Sequence, residues 1–105
     1  MNPQRFLWEI LVPTVRPNGK PIHTRFHRVW DKQVEAISGG MTLLRPQQGR
    51  WIHKEQRFDE RMIPVRILCT EAEISQIVDF TITYYDQIAV MAYRIGDKVI
   101  LRHRK

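Results

Sequence analysis

His23 and His27 stand four residues apart. That spacing puts two imidazoles on one side of a helical turn and, with a third ligand, over one metal ion. No third ligand is positioned by the sequence, so they read as two solvent-facing histidines, and neither a metal centre nor a cofactor is expected. His53 and His103 are isolated. Cys69 falls where a strand passes into a helix, and a helix N-terminus lowers a thiol pKa. It also shares an apolar face with Ile67, however, which favours a buried structural cysteine. Glu55, Asp59 and Glu60 alternate with Lys54, Arg57 and Arg61 and read as a salt-bridged, solvated loop. Tyr84-Tyr85-Asp86-Gln87 ends a helix and opens a strand, with Tyr85 packing inward. A cleft bounded by Trp51, Arg61, Tyr84 or Tyr85, and Gln87 could hold a small anionic or planar ligand. The competing reading makes Trp51 and the tyrosines core residues. Neither a Ser/His/Asp arrangement nor a dinucleotide fingerprint is readable.

These side chains need elements to hold them. Phe6–Pro13 has strand alternation, with Phe6, Trp8, Ile10 and Val12 on one face and Leu7, Glu9 and Leu11 on the other. Residues 16–22 break both regular periods with Pro17, Asn18-Gly19 and Pro21 and form a loop. Thr24 is placed to cap a helix. Phe26, Val29, Trp30, Val34 and Ile37 give that helix one apolar face. Met62–Cys69 is the clearest strand, with Ile63, Val65, Ile67 and Cys69 aligned. Thr70 and Glu73 have the form of a capping box ahead of Ile74, Ile77, Val78, Thr81 and Tyr85. Ile88–Arg94 and Val99–His103 read as strands joined at Gly96-Asp97.

Gly39-Gly40 follows the last apolar anchor of the first helix, where a left-handed residue closes a helix without a Cβ clash. A phosphate cradle needs glycines leading into a helix N-terminus, so these are architectural. Met41–Leu44 is then a short strand. Arg45–Gly49 suits a turn, Arg50–His53 a returning strand, and Lys54–Arg61 a connection. The order predicts a single α+β domain over residues 1–105: a split β-α-β-β-α-β, ferredoxin-like antiparallel sheet with two helices on one face and an extra C-terminal strand.

One face of such a sheet meets the helices, and the other is polar if water covers it. Here Leu7 and Leu11, then Met62, Pro64 and Leu68, add an apolar second face. At about 25 cal/mol per Å², several hundred Å² left uncovered is a strong drive to associate. A homo-oligomer is expected, a dimer before higher assemblies. The alternative is that the final hairpin folds over this face.

With 43% hydrophobic and 27% charged residues the composition is globular rather than disordered. No apolar run nears the roughly 20 residues that cross a bilayer, and Glu9 interrupts the N-terminus before a signal-like stretch can build. One cysteine makes no internal disulfide, which with the N-terminus sets the expectation of a cytoplasmic protein without a membrane partner. Net charge is +6, spread among acids except at Arg102-His103-Arg104-Lys105. That charge allows nucleic acid as a partner without favouring it, because the central strands carry Ile, Val and Met where an RNA-binding sheet displays aromatics.

Gly40-Met41-Thr42-Leu43, Gly49-Arg50-Trp51, Glu60-Arg61 at the head of a strand, and Tyr84 with Gln87-Ile88-Ala89-Val90 form a pattern over most of the chain. It resembles a small bacterial domain family of unknown function. In that family a Gly-(Leu/Met)-Thr-(Val/Leu) strand precedes a Gly-x-Trp turn, and a Tyr-ended helix precedes Gln-x-x-Val. The resemblance implies an α+β fold and no catalytic residue. The export or lipoprotein signal often present in that family is not seen here. Three functions compete: a self-associating module that binds a small ligand or partner protein, a nucleic-acid-binding protein, and a small enzyme with a subunit-interface cleft using Tyr84, Tyr85, Glu60 or an arginine in acid–base roles.

Overall fold

A computed structural model describes residues 3–104. The elements are β1 (Arg5–Pro13), α1 (Thr24–Ser38), β2 (Thr42–Leu43), β3 (Gln47–His53), β4 (Gln56–Thr70), α2 (Glu71–Tyr85) and β5 (Ala92–Arg94). They form a five-stranded antiparallel sheet in the order β2-β4-β1-β5, with β3 also pairing β4. This is the expected split β-α-β-β-α-β architecture, with β2 and β3 together filling one strand position.

The β1–β4 register puts Trp8 opposite Ile67, Ile10 opposite Val65 and Val12 opposite Ile63. That face meets the helices. Ile10, Val12, Val65, Ile67 and Cys69 are buried against Trp30 and Val34 of α1 and Ile74, Ile77 and Tyr85 of α2. The Trp30 indole N–H, which burial would otherwise leave unpaired, donates to Thr81 Oγ1 at 2.9 Å. The capping box is present: Glu73 N–H donates to Thr70 Oγ1 at 3.1 Å, and Thr70 N–H to Glu73 Oε1 at 2.8 Å. Gly39 closes α1 at φ 93°. At the other end of α1 the cap position is His23, not Thr24, and no side chain caps it. Val29 lies on the outer side of the helix, 53% exposed.

The edge beyond β4 departs from expectation. No turn reverses the chain at Arg45–Gly49; β2 and β3 run on in one direction along β4. Between the pairs Leu43–Val65 and Gln47–Met62, Leu44, Arg45 and Pro46 face only Pro64 and Ile63, which is a bulge of one residue. Pro64 supplies a reason. Its carbonyl accepts from Leu44 N–H at 2.9 Å, but its ring nitrogen, on the same side of the strand, has no hydrogen to donate, so the ladder breaks there. The reversal comes at Lys54-Glu55, whose positive φ values of 50° and 66° make a two-residue hairpin turn. The expected connection at Lys54–Arg61 is therefore largely strand, paired from Gln56–His53 to Met62–Gln47.

Two further strands fall short. Only Ala92–Arg94 of Ile88–Arg94 pairs as a strand, and the extra C-terminal strand expected at Val99–His103 does not form. Ile95 N–H still donates to Leu7 O at 2.8 Å, and Gly96 turns the chain at φ 67°. Val99, Ile100 and Leu101 stay 36%, 67% and 62% exposed. The final segment therefore does not seal the second face. No helix among the described residues is long and apolar enough to cross a membrane.

Candidate functional site

The face of the sheet away from the helices carries a pocket and a groove on either side of a polar bridge. In the middle, the Glu9 carboxylate accepts from Arg66 Nε at 3.0 Å and from the Tyr93 hydroxyl, on three adjacent strands. Glu9 is buried although it lies on the outer face, because Arg66 and Tyr93 cover it.

On one side of this bridge lies an apolar pocket of about 520 Å³. Leu11 and Pro13 of β1 and Met62 of β4 come from the outer face of the strands, and Gly49, Trp51 and Glu60 from the β3–β4 hairpin. Gln87 and residues 89–92, on the way from α2 to β5, close it opposite the hairpin. The volume lies in the range of small-molecule sites. Trp51 is fixed by its cross-strand partner Phe58, with stacked rings 4.6 Å apart. Gly49 leaves the wall open: a Cβ there would collide with Met62 Cε. Gln87 is anchored through its side-chain amide, which donates to Tyr85 O at 3.0 Å and Val15 O at 3.5 Å.

Of the residues expected to bound one cleft, the structure brings together Trp51 and Gln87. It places Tyr84, Tyr85 and Arg61 elsewhere. Tyr85 is fully buried between the helices, with its hydroxyl 2.7 Å from His27 Nδ1. Tyr84 stacks on Phe80 at 5.2 Å and donates its hydroxyl to Phe26 O. Both tyrosines belong to the last turn of α2, which points them at α1, whereas Gln87 lies past the left-handed Asp86 and turns to the opposite side. Arg61 is exposed on β4, one residue out of phase with Glu60 and Met62, and its carbonyl accepts from Thr14 Oγ1. Among the described residues Glu60 is the one carboxylate lining the pocket, and Arg50 lines it too. Arg50, Arg57 and Asp59, the neighbours of Glu60, form exposed ion pairs on the hairpin. Glu60 and Gly49 had a readable signal: same-face alternation with Met62, and a glycine inside a strand. Met91 and Val90 had none, since their position depends on how the chain leaves α2.

The Cys69 thiol is raised to about 11, first by burial and then by Glu73, despite its place at the start of α2. The expected lowering by the helix terminus is overridden by desolvation, and an inert core thiol results. His27 is half-buried and His23 exposed. No group of three or more His, Cys, Asp or Glu suited to a metal ion exists among the described residues.

No protein-family model and no curated protein sequence matches the chain. Solved structures do. The divalent cation tolerance protein CutA1 of Thermus thermophilus superposes with a TM-score of 0.63 at 9% identity, over 91% of this chain and 88% of that one. The periplasmic divalent cation tolerance protein CutA of Archaeoglobus fulgidus gives 0.67 at 7%, over 94% and 89%. A phage SAM lyase in complex with S-methyl-5′-thioadenosine gives 0.63 at 14%, over 92% and 93%. The likeness is one of fold. It agrees with a small α+β domain of ferredoxin-like type, and identities this low carry no residue roles across.

Proposed function

We propose that this chain is a self-associating, single-domain α+β module that holds a small, partly planar molecule against the outer face of its sheet. The observation that supports this reading is the pocket of about 520 Å³ into which Trp51, Glu60 and Gln87 converge from separate parts of the chain. Trp51 offers an indole for stacking, Leu11, Met62 and Met91 an apolar floor and wall, and Glu60 and Gln87 the polar contacts that set orientation. Self-association draws support from apolar side chains left open to solvent: Met91, which lines the pocket, with Ile88 and Ile100, and Leu43 and Ile52 on the edge strand in phase with the helix side of the sheet, are more than half exposed. A reducing, cytoplasmic setting fits the buried unpaired Cys69.

The fold neighbours suggest which probes to try first: S-methyl-5′-thioadenosine, which joins a planar base to an apolar thioether, and divalent cations. Thermal shift and calorimetry with both, beside light scattering at micromolar concentration, test the reading. Saturable binding of the thioether nucleoside that is weakened by Trp51→Ala supports it. A chain that stays monomeric and binds no planar small molecule from a metabolite panel overturns it. If the pocket also performs a reaction, Glu60 is the residue for acid–base work there, since Tyr84 and Tyr85 are held in the core. Nucleic-acid binding finds no support in the outer face of the central strands, where Leu7, Leu11, Pro64 and Leu68 leave no stacking platform.

A further inference from the structure

Beyond the Glu9–Arg66 bridge, at the end of the sheet away from the pocket, lies a second groove of about 450 Å³. It is lined by Arg5, Leu7, residues 38–42, Arg66, Leu68 and Leu101 and shares no residue with the pocket around Trp51. Among the described residues the lining has two positive charges and no carboxylate. Both guanidiniums are held in place by the fold. Arg5 Nη2 donates to Leu68 O at 2.7 Å and Ser38 O at 3.1 Å, the latter a carbonyl at the end of α1. Arg66 is tied through Nε alone to the buried Glu9, and its two Nη nitrogens bond no other described residue. A guanidinium oriented in this way presents a planar fork of donors suited to a carboxylate or phosphate. Leu7, Leu68 and Leu101 supply apolar surface beside it, and Arg102 follows Leu101.

We propose that this groove binds an oxyanion, carboxylate or phosphate, borne on a short apolar body. The anion sits on the free side of the Arg66 guanidinium with Arg5 next to it, and the apolar body lies along Leu7, Leu68 and Leu101. Glu9 acts as a positioning residue: it keeps Arg66 facing outward and takes up one of its donors.

Hexanoate, hexyl phosphate and uncharged hexanamide, titrated by calorimetry, test this. Both anions are expected to bind at about 50 mM salt, and hexanamide at least about tenfold more weakly. The stronger of the two anions identifies the natural headgroup. Leu101→Asp sets a carboxylate at the rim from a residue already 62% exposed, so the fold tolerates it. It is expected to weaken both anions by about tenfold or more, with Leu101→Ala changing affinity much less. Arg5→Gln is the second variant and is expected to weaken binding several-fold. Equal affinity for hexanoate and hexanamide, no binding at millimolar concentration, or affinity untouched by Leu101→Asp and Arg5→Gln each overturns the proposal. So does binding that is lost only when Arg102 and Arg104 are changed to Gln. Binding of S-methyl-5′-thioadenosine in the other pocket is independent of all these outcomes.

Discussion

Arg66 Nε donates to Glu9 Oε1 at 3.0 Å across the two central strands, and this pair keeps a carboxylate that is only 7% exposed on the outer face of the sheet. The arrangement gives the face its two-part character, an apolar pocket on one side and a basic groove on the other. Arg66→Leu leaves Glu9 with the Tyr93 hydroxyl alone and is expected to cost about 2 kcal/mol in urea unfolding, a buried charge having lost its counter-ion. Glu9→Leu/Arg66→Leu is expected to recover most of that loss. A double-mutant cycle with a coupling near zero would show that the two residues act independently.

His27 governs an acid-side weakness. Burial lowers its pKa from 6.5, with Asp31 acting in the opposite sense. The unfolded chain then takes up a proton that the folded one refuses, so stability is fully present above pH 6.5 and declines as pH falls from there toward the lowered folded value. Asp31 is itself raised from 3.8 by burial, so its contribution runs the other way, but in the carboxylate range. Urea midpoints at successive pH values below neutrality are expected to fall for the native chain and to flatten in His27→Gln. An equal slope in both would remove His27 as the cause.

Lys54 and Glu55 both hold positive φ, a conformation unfavourable for side chains of their type. Lys54→Asn/Glu55→Gly puts the preferred residues of this two-residue turn in their place. A gain of about 0.5–1 kcal/mol is expected in thermal or urea unfolding. A loss would mean that the turn is held by contacts of the native side chains.

Gly49 keeps the pocket open. In Gly49→Ala the added methyl meets the flexible end of Met62, which can swing only at the expense of neighbouring space. The fold is expected to survive with a change of under about 1 kcal/mol. Binding of S-methyl-5′-thioadenosine should weaken by about tenfold, a loss of about 1.4 kcal/mol. Unchanged affinity would place the ligand elsewhere.

The β3–β4 hairpin shows where local reading of a sequence stops. Residues 56–61 are mostly charged and have no apolar alternation, yet they are strand, because the partner at 47–53 supplies a ladder for their backbone groups. At 99–103 the reverse holds. Val99, Ile100 and Leu101 have strand propensity, yet they do not pair with the open edge of β5, and they stay irregular and exposed.

The sequence by itself determined the two helices, the split β-α-β-β-α-β order of the core, the helix face of the sheet, the capping box at Thr70 and the glycine stop at Gly39, since each follows from side-chain spacing and backbone preference within a few residues. It also marked the second face as apolar and put Trp51 and Gln87 beside one cleft, and in the structure both line the same pocket. Only the tertiary structure decided that Tyr84 and Tyr85 face the core, that Glu60 and Met91 line the pocket, and that Arg5 and Arg66 share a groove. Those outcomes depend on strand register and on the direction in which the chain leaves α2, and a one-residue shift in either would send the same side chains to the opposite face.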